Sequence, residues 1–234
     1  MRLRLTKPRA AAATLALAFT LAATPALAKK CGNNSAGFNA WISDFRTEAV
    51  ANGISQATLQ KALGDVYYAT KTIWADRNQK SFKLTYEEFL KKRGAATIIS
   101  QGRKRKQQNA DLFRRIEARY GVPAGPLLAI WGMETAFGGF QGDQPTFPAL
   151  ATLAYDCRRG EFFEEQLYAA LKLVQTGQLT VDEMKGAGHG EIGQMQFLPA
   201  NYLKFGVDGD GDGRVDMIRS RADALASTAN YLKA

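Results

Sequence analysis

Glu134 sits in the run Ala129-Ile130-Trp131-Gly132-Met133-Glu134-Thr135, close behind Leu127 and Leu128. A carboxyl set among apolar side chains is poorly hydrated in its charged form, so its pKa rises and it becomes suited to donate a proton near neutral pH. Glycosidic bond cleavage is the commonest reaction needing such an acid, because the leaving oxygen must be protonated. Helical spacing puts Leu127, Ile130 and Trp131 on the face of Glu134, and predicts that this face looks inward. The competing reading is a Glu at a helix end that holds two helices together through an Arg or backbone amides.

A second group is Asp208-Gly209-Asp210-Gly211-Asp212-Gly213-Arg214-Val215-Asp216, which fits the first nine positions of a calcium-binding loop. Asp208, Asp210 and Asp212 supply oxygens at positions 1, 3 and 5, the Arg214 carbonyl supplies position 7 and Asp216 position 9, with Gly213 at the sharp turn. Position 12 is Arg219 where a bidentate Glu is expected, and Asp223 is the candidate replacement. A metal-free Asp/Gly turn is the alternative.

A third group follows the flexible stretch Gly186-Ala187-Gly188-His189-Gly190-Glu191-Ile192-Gly193. Gln194 and Gln196 there offer donors and acceptors suited to sugar hydroxyls and acetamido groups. Arg158-Arg159 either reaches a cleft or caps and solvates a helix end. Nothing in the sequence suggests an organic cofactor. Cys31 and Cys157 have no local His or second Cys at metal-ligand spacing, so zinc is not indicated. In an oxidising compartment they are expected to pair, the alternative being two free thiols.

These groups need elements to hold them. Phe38, Trp41, Ile42, Phe45 and Ala49 recur at helical spacing up to Gly53, and Ser55 can cap a short helix bearing Leu59 and Leu63. Residues 64–84, with Tyr67, Tyr68 and Trp74, lose periodicity and read as extended or irregular. Thr85 with Glu88 forms a capping box for a helix stopping near Gly94. One long helical region is expected from Ala95 to Tyr120, its basic run Arg103-Lys104-Arg105-Lys106 a solvated face. Pro123 opens the Glu134 helix, and Gly138, Gly139 and Gly142 form a loop suited to a cleft wall. Further helices carry Leu150 to Cys157 and Phe163 to Val174, Thr180 with Glu183 is another capping box, and a last helix covers 223–233. With no strand-rich block or repeat, the fold class is all-α.

Residues 1–28 read as a secretory signal peptide: a basic head at Arg2, Arg4, Lys7 and Arg9, an Ala/Leu-rich core, and Ala26-Leu27-Ala28 as the cleavage pattern. The domain is then 29–234, periplasmic and not lipid-anchored, since Lys29 and Lys30 separate Cys31 from the cleavage point. The 234-residue chain carries a net +9, four of whose basic residues lie in the leader. A moderately basic exported domain suits an anionic wall or membrane surface, and nucleic acid is a poor partner for it.

Trp131-Gly132-Met133-Glu134-Thr135 with Phe137-Gly138, then Ala149-Leu150-Ala151-Thr152-Leu153-Ala154-Tyr155, Arg158-Arg159 and Gly193-Gln194-Met195-Gln196-Phe197-Leu198-Pro199 resemble the lytic murein transglycosylases of the membrane-bound B type. The likeness runs through the Asp208 loop to Ala229-Asn230-Tyr231-Leu232-Lys233. It implies a lysozyme-like helical domain with an EF-hand-like loop that cleaves the MurNAc-GlcNAc bond of peptidoglycan without water, with Glu134 as acid and then base. It also implies that Gln196, Arg158, Arg159 and Tyr231 bind saccharide and that glycan strands, together with other cell-wall enzymes, are the partners. Ala187 and Gly188 replace a hydroxyl and an aromatic residue common in the family, and His189 and Glu191 are unusual polar occupants that would alter the subsite. The resemblance further suggests a form shorter at the C-terminus than its longer relatives, with a more open cleft. Rival readings are a hydrolytic muramidase with Glu191 as base, and a catalytically weak peptidoglycan-binding protein.

Overall fold

The computed structural model describes residues 31–78 and 83–234, so the expected signal peptide at 1–28 lies outside the described residues. Eleven α-helices, a short 3-10 helix (Ser35–Gly37) and one two-stranded ribbon are found among them. Helix α1 (Phe38–Ala51) buries the expected stripe of Phe38, Trp41, Ile42, Phe45 and Ala49. Ser55 caps α2 (Gln56–Leu63) by accepting from the Thr58 amide.

Residues 70–77, expected to be irregular, instead form α3 (Thr70–Arg77). Only Thr72 and Asp76 of this helix are buried. One is polar and the other charged, so no apolar period marks the segment; Asp76 is held by ion pairs rather than by an oily face. The capping box at Thr85 and Glu88 is present in both directions and opens α4 (Tyr86–Lys92).

The single helix expected from Ala95 to Tyr120 is two, α5 (Ala95–Gln108) and α6 (Ala110–Tyr120). Asn109 breaks it: its backbone leaves the helical region, and its side-chain amide donates to the Arg105 carbonyl at 2.9 Å. Short polar side chains that bond nearby backbone compete with the helix ladder in this way. Within the basic run, Arg105 turns inward and lies over the rings of Trp131 and Phe137, 5.3 and 5.0 Å from their centroids.

The centre of the domain is α8 (Thr146–Tyr155), all ten of whose residues are buried. A helix apolar all round must be enclosed. It packs against α9 (Gly160–Gln175), α1, α2 and α3. Phe38, Trp41 and Tyr68 meet Tyr155 in tilted and edge-on ring contacts. Beside them, Cys31 and Cys157 are joined by a disulfide, and the Gly32 amide donates to the Tyr155 carbonyl at 3.0 Å.

Helix α7 (Ala124–Thr135) starts after Pro123 and packs on α5. Behind it, β1 (Gln144–Pro145) pairs antiparallel with β2 (Lys185–Gly186). This ribbon brings the loops after α7 and after α9 together. Their approach is so close that a Cβ on Gly142 would lie 2.2 Å from the Gly186 carbonyl oxygen. Thr180 and Glu183 make the expected reciprocal bonds, but they close a turn and not a helix. Short α10 (Pro199–Phe205), the Asp208 loop and α11 (Arg221–Lys233) complete the domain. No described helix is long and apolar enough to cross a membrane.

Candidate active site

The buried stripe of α7 consists of Ala124, Leu127, Leu128, Trp131, Gly132 and Thr135. Glu134 is one position round from Thr135, about 100° away on a helix of 3.6 residues per turn. It therefore does not look into the core, as its spacing from Leu127 and Trp131 suggested. It opens instead, with Ile130 one turn before it, into a cavity of 390 Å³.

Although accessible to water, the Glu134 carboxyl lines a concave wall, and protein on several sides displaces much of its hydration. This burial raises its pKa above the ordinary carboxylate value; the Arg93 charge opposes the rise and the Glu191 charge adds to it. The cavity unites Glu134, Glu191, Gln196 and Tyr231 from three separate stretches of sequence: α7, the 187–198 loop and α11. Tyr231, on α11, is fixed edge-on against Phe197 and Phe205, with centroids 5.8 and 4.9 Å away. Gln196 adopts φ 50°, and its amide donates to the Gln141 and Gly193 carbonyls. Asn201, Thr228 and Leu198 also line the space. No spacing argument identified them, because α10 and α11 meet the cleft only after folding.

Gln194 is buried and not a wall residue of this cavity. Its side-chain oxygen accepts from Trp131 Nε1 at 3.1 Å and its amide donates to the Ile218 carbonyl at 3.2 Å. Thr135 Oγ1 donates to the Gln194 carbonyl at 2.7 Å and accepts from the Gly138 amide at 2.8 Å. Gln194, expected to offer its amide to sugar, thus has that amide engaged by protein groups and braces α7 against the opposite wall.

Arg158 and Arg159 do not reach the Glu134 cavity either. They border a separate hollow of 480 Å³ beside the disulfide, and both pair with the buried carboxylate of Asp76. Burial alone would raise the Asp76 pKa, but the hydrogen bonds and charges of the two guanidiniums outweigh it and hold the group below its usual value. His189 connects this cluster to the cleft. Its Nε2 is 3.6 Å from Asp76, its Nδ1 is 3.8 Å from Glu191, and its backbone amide donates to Glu191 at 3.1 Å. Asp76 was invisible beforehand, since it lies in the segment that lacked an apolar period.

In the Asp208 loop, carboxylate oxygens of Asp208, Asp210 and Asp212 come within 4.8 Å of one another. Asp208 accepts from the Gly211, Asp212 and Gly213 amides, and Gly213 turns at φ 90°. Asp216 and Asp223, expected to complete a shell, are not gathered with them. Asp216 accepts from the Ile218 and Arg219 amides and pairs with the Arg219 side chain at 2.7 Å. Asp223 is fully buried and accepts from the Gly209 and Asp216 amides. Arg219 also pairs with Glu183, so position 12 is a basic strut rather than a ligand.

A family model described as the transglycosylase SLT domain matches residues 37–234. The chain belongs to the transglycosylase SLT domain family. Among similar SLT-domain structures is SltB3 from Pseudomonas aeruginosa in complex with NAG-anhNAM-pentapeptide, at 41% identity and a TM-score of 0.78, covering 84% of this chain and 52% of that one. The Escherichia coli lytic transglycosylase Slt35 in complex with calcium is similar at 26% identity and a TM-score of 0.67, covering 88% of this chain and 65% of that one. Membrane-bound lytic murein transglycosylase B of Escherichia coli K12 is 36% identical over 128 residues, 54% of this chain and 35% of that protein. The chain therefore spans about a third of this curated relative and about half of the SltB3 chain. The all-α, lysozyme-like architecture expected of an SLT domain is the one found.

Proposed function

We propose that this SLT-domain chain is a peptidoglycan lytic transglycosylase that cleaves the MurNAc-GlcNAc β-1,4 bond and leaves a 1,6-anhydromuramoyl end. The observation that carries this reading is Glu134, a carboxyl of raised pKa in a cleft shared with Glu191, Gln196 and Tyr231, in a chain similar to relatives named for this activity. As the acid, Glu134 protonates the glycosidic oxygen as the C1–O bond breaks. The C6 hydroxyl of the same muramoyl residue then attacks C1, closing the anhydro ring and returning its proton to Glu134. The reacting oxygen is delivered by the sugar itself, so proximity replaces a protein nucleophile. Gln196, Tyr231 and Glu191 border the bound strand; Arg158 and Arg159 act from outside the cavity through Asp76 and His189. Export to the periplasm as a 29–234 domain completes the reading, with the wall glycan as partner.

We further propose that the Asp208 loop is EF-hand-like and holds calcium through Asp208, Asp210 and Asp212. Three hard carboxylate donors at this separation suit that ion, and the relative Slt35 is described in complex with it. Bound calcium would supply structural cross-linking between α10 and α11, which carries Tyr231, and takes no part in the proton transfers. The deciding experiment digests purified sacculi in oxygen-18 water and weighs the products. Unlabelled 1,6-anhydro ends are expected. Labelled reducing ends would show a hydrolytic muramidase, and no products a protein that only binds the wall.

A further inference from the structure

Helix α3 turns Thr72 and Asp76 inward and Lys71 and Trp74 outward. Trp74 is 70% exposed, a large apolar surface to leave in water. It lines a mainly apolar cavity of 340 Å³ with Lys71, Thr72, Ala75, Gln144 and Gly188. Gly188 belongs to the loop whose Ala187 and Glu191 line the Glu134 cavity, so one short loop separates the two spaces. A Cβ on Gly188 would meet nothing within 4 Å, so no neighbouring side chain stands over the loop at that residue.

The platform is also fixed relative to the cleft. Asp76, two residues after Trp74, is buried among Arg158, Arg159 and His189, and His189 in turn meets Glu191. Arg77, the next residue, pairs with Asp156 at 2.5 Å. A short helix with little apolar anchorage is thereby held by ion pairs to Arg158, Arg159 and Asp156, with His189 of the cleft loop beside them.

We propose that Trp74, Lys71 and Gln144 form an outer saccharide subsite, where the glycan strand that occupies the Glu134 cleft continues across the Gly188 loop. This rests on the glycan reading of the cleft. A flat, rigid indole offers the apolar face of a pyranose ring a broad contact at small entropic cost, and a few polar groups around it fix orientation. Gln144 can bond acetamido or hydroxyl groups, and Lys71 attracts the carboxylates that an anionic wall polymer carries. The occupant is the same strand, because the subsite adjoins the cleft across one short loop and matches the polymer in charge.

The test is binding calorimetry in the Glu134→Gln background, where nothing is turned over, with long peptide-free glycan strands and a tetrasaccharide of the same repeat. Adding Trp74→Ala should weaken binding of long strands roughly tenfold, the order of one well-placed aromatic contact, and leave the tetrasaccharide within about twofold. Trp74→Phe should recover much of the loss, since it restores a ring. Unchanged long-strand binding, an equal loss for both lengths, or no recovery by Phe overturns the subsite while the cleft assignment stands. Failure of the Glu134→Gln protein to bind either length overturns the glycan reading and the subsite with it.

Discussion

Trp131 donates its indole Nε1–H to the side-chain oxygen of Gln194 at 3.1 Å, and both side chains are buried. The bond joins the helix that carries Glu134 to the loop that leads into Gln196. Thr135 reinforces it from the next turn through the Gln194 carbonyl. The backbone after Thr135 passes so close that a Cβ on Gly138 would sit 2.8 Å from the Gln194 oxygen. Position of the Glu134 carboxyl relative to the cleft wall therefore depends on a glutamine that lies outside the cavity.

Gln194→Leu should keep much of the volume but strand the Trp131 N–H without a partner. A buried unsatisfied donor costs about 1–3 kcal/mol, which urea unfolding of the variant will measure. Activity should fall with kcat more affected than KM, because the loss is in the placement of Glu134 and not in saccharide contacts.

Glu134→Gln removes the transferable proton at nearly constant size. Cleavage should drop by roughly a hundredfold to ten-thousandfold, the usual range for loss of a general acid, with sacculus binding and circular dichroism unchanged. Full activity would remove Glu134 from the reaction.

Glu191→Gln should move the basic limb of the pH–rate profile. The acid works only while protonated, so a raised pKa extends activity towards higher pH. Burial is the main cause of the rise, opposed by Arg93 and aided by Glu191. Deleting the Glu191 charge lowers the Glu134 pKa and should shift the limb to lower pH, whereas a Glu191 that merely touches sugar would change KM and leave the limb in place.

Asp76→Asn tests the anchor of α3. The Asp76 pKa is held below its unfolded value, so its contribution is fully present above the unfolded pKa and lost as pH falls through the folded one. Breaking a buried ion pair typically costs 3–5 kcal/mol, but the Arg158 and Arg159 side chains are 49% and 42% exposed and solvent screens them, so about 2 kcal/mol is expected at pH 7. Chemical unfolding across pH should show the gap between variant and parent closing on the acid side, below about pH 4.

Calcium should raise the melting temperature through the Asp208 loop. At a hundredfold excess over Kd, binding to the folded state contributes about 2.7 kcal/mol, equivalent to several degrees for a domain of this size. Asp208→Asn with Asp212→Asn should abolish the shift. Calorimetry that detects neither binding nor a shift in the parent would reduce the loop to a metal-free turn.

The local rules of sequence determined most of the helices and the chemical character of the centre. Apolar period placed α1, α8 and α9, Ser55 and the Thr85–Glu88 box placed two helix starts, and a carboxylate among Ile130, Trp131 and Met133 singled out Glu134 as the candidate acid. These signals are readable because neighbours one turn apart create them. What only the tertiary structure decided was which way each group faces and what it meets. Period alone put Glu134 in the core, but Thr135 continues the buried stripe and Glu134 turns into the cleft. Gln194 and Gln196 are two residues apart and look alike in sequence; one is a buried brace and the other borders the cavity, because Gln196 takes a left-handed backbone turn. Helix α3 and its Asp76 were unreadable for the same physical reason: their stability comes from partners at Arg158, Arg159 and His189, far away along the chain, and a charge balanced at long range leaves no pattern in its own segment.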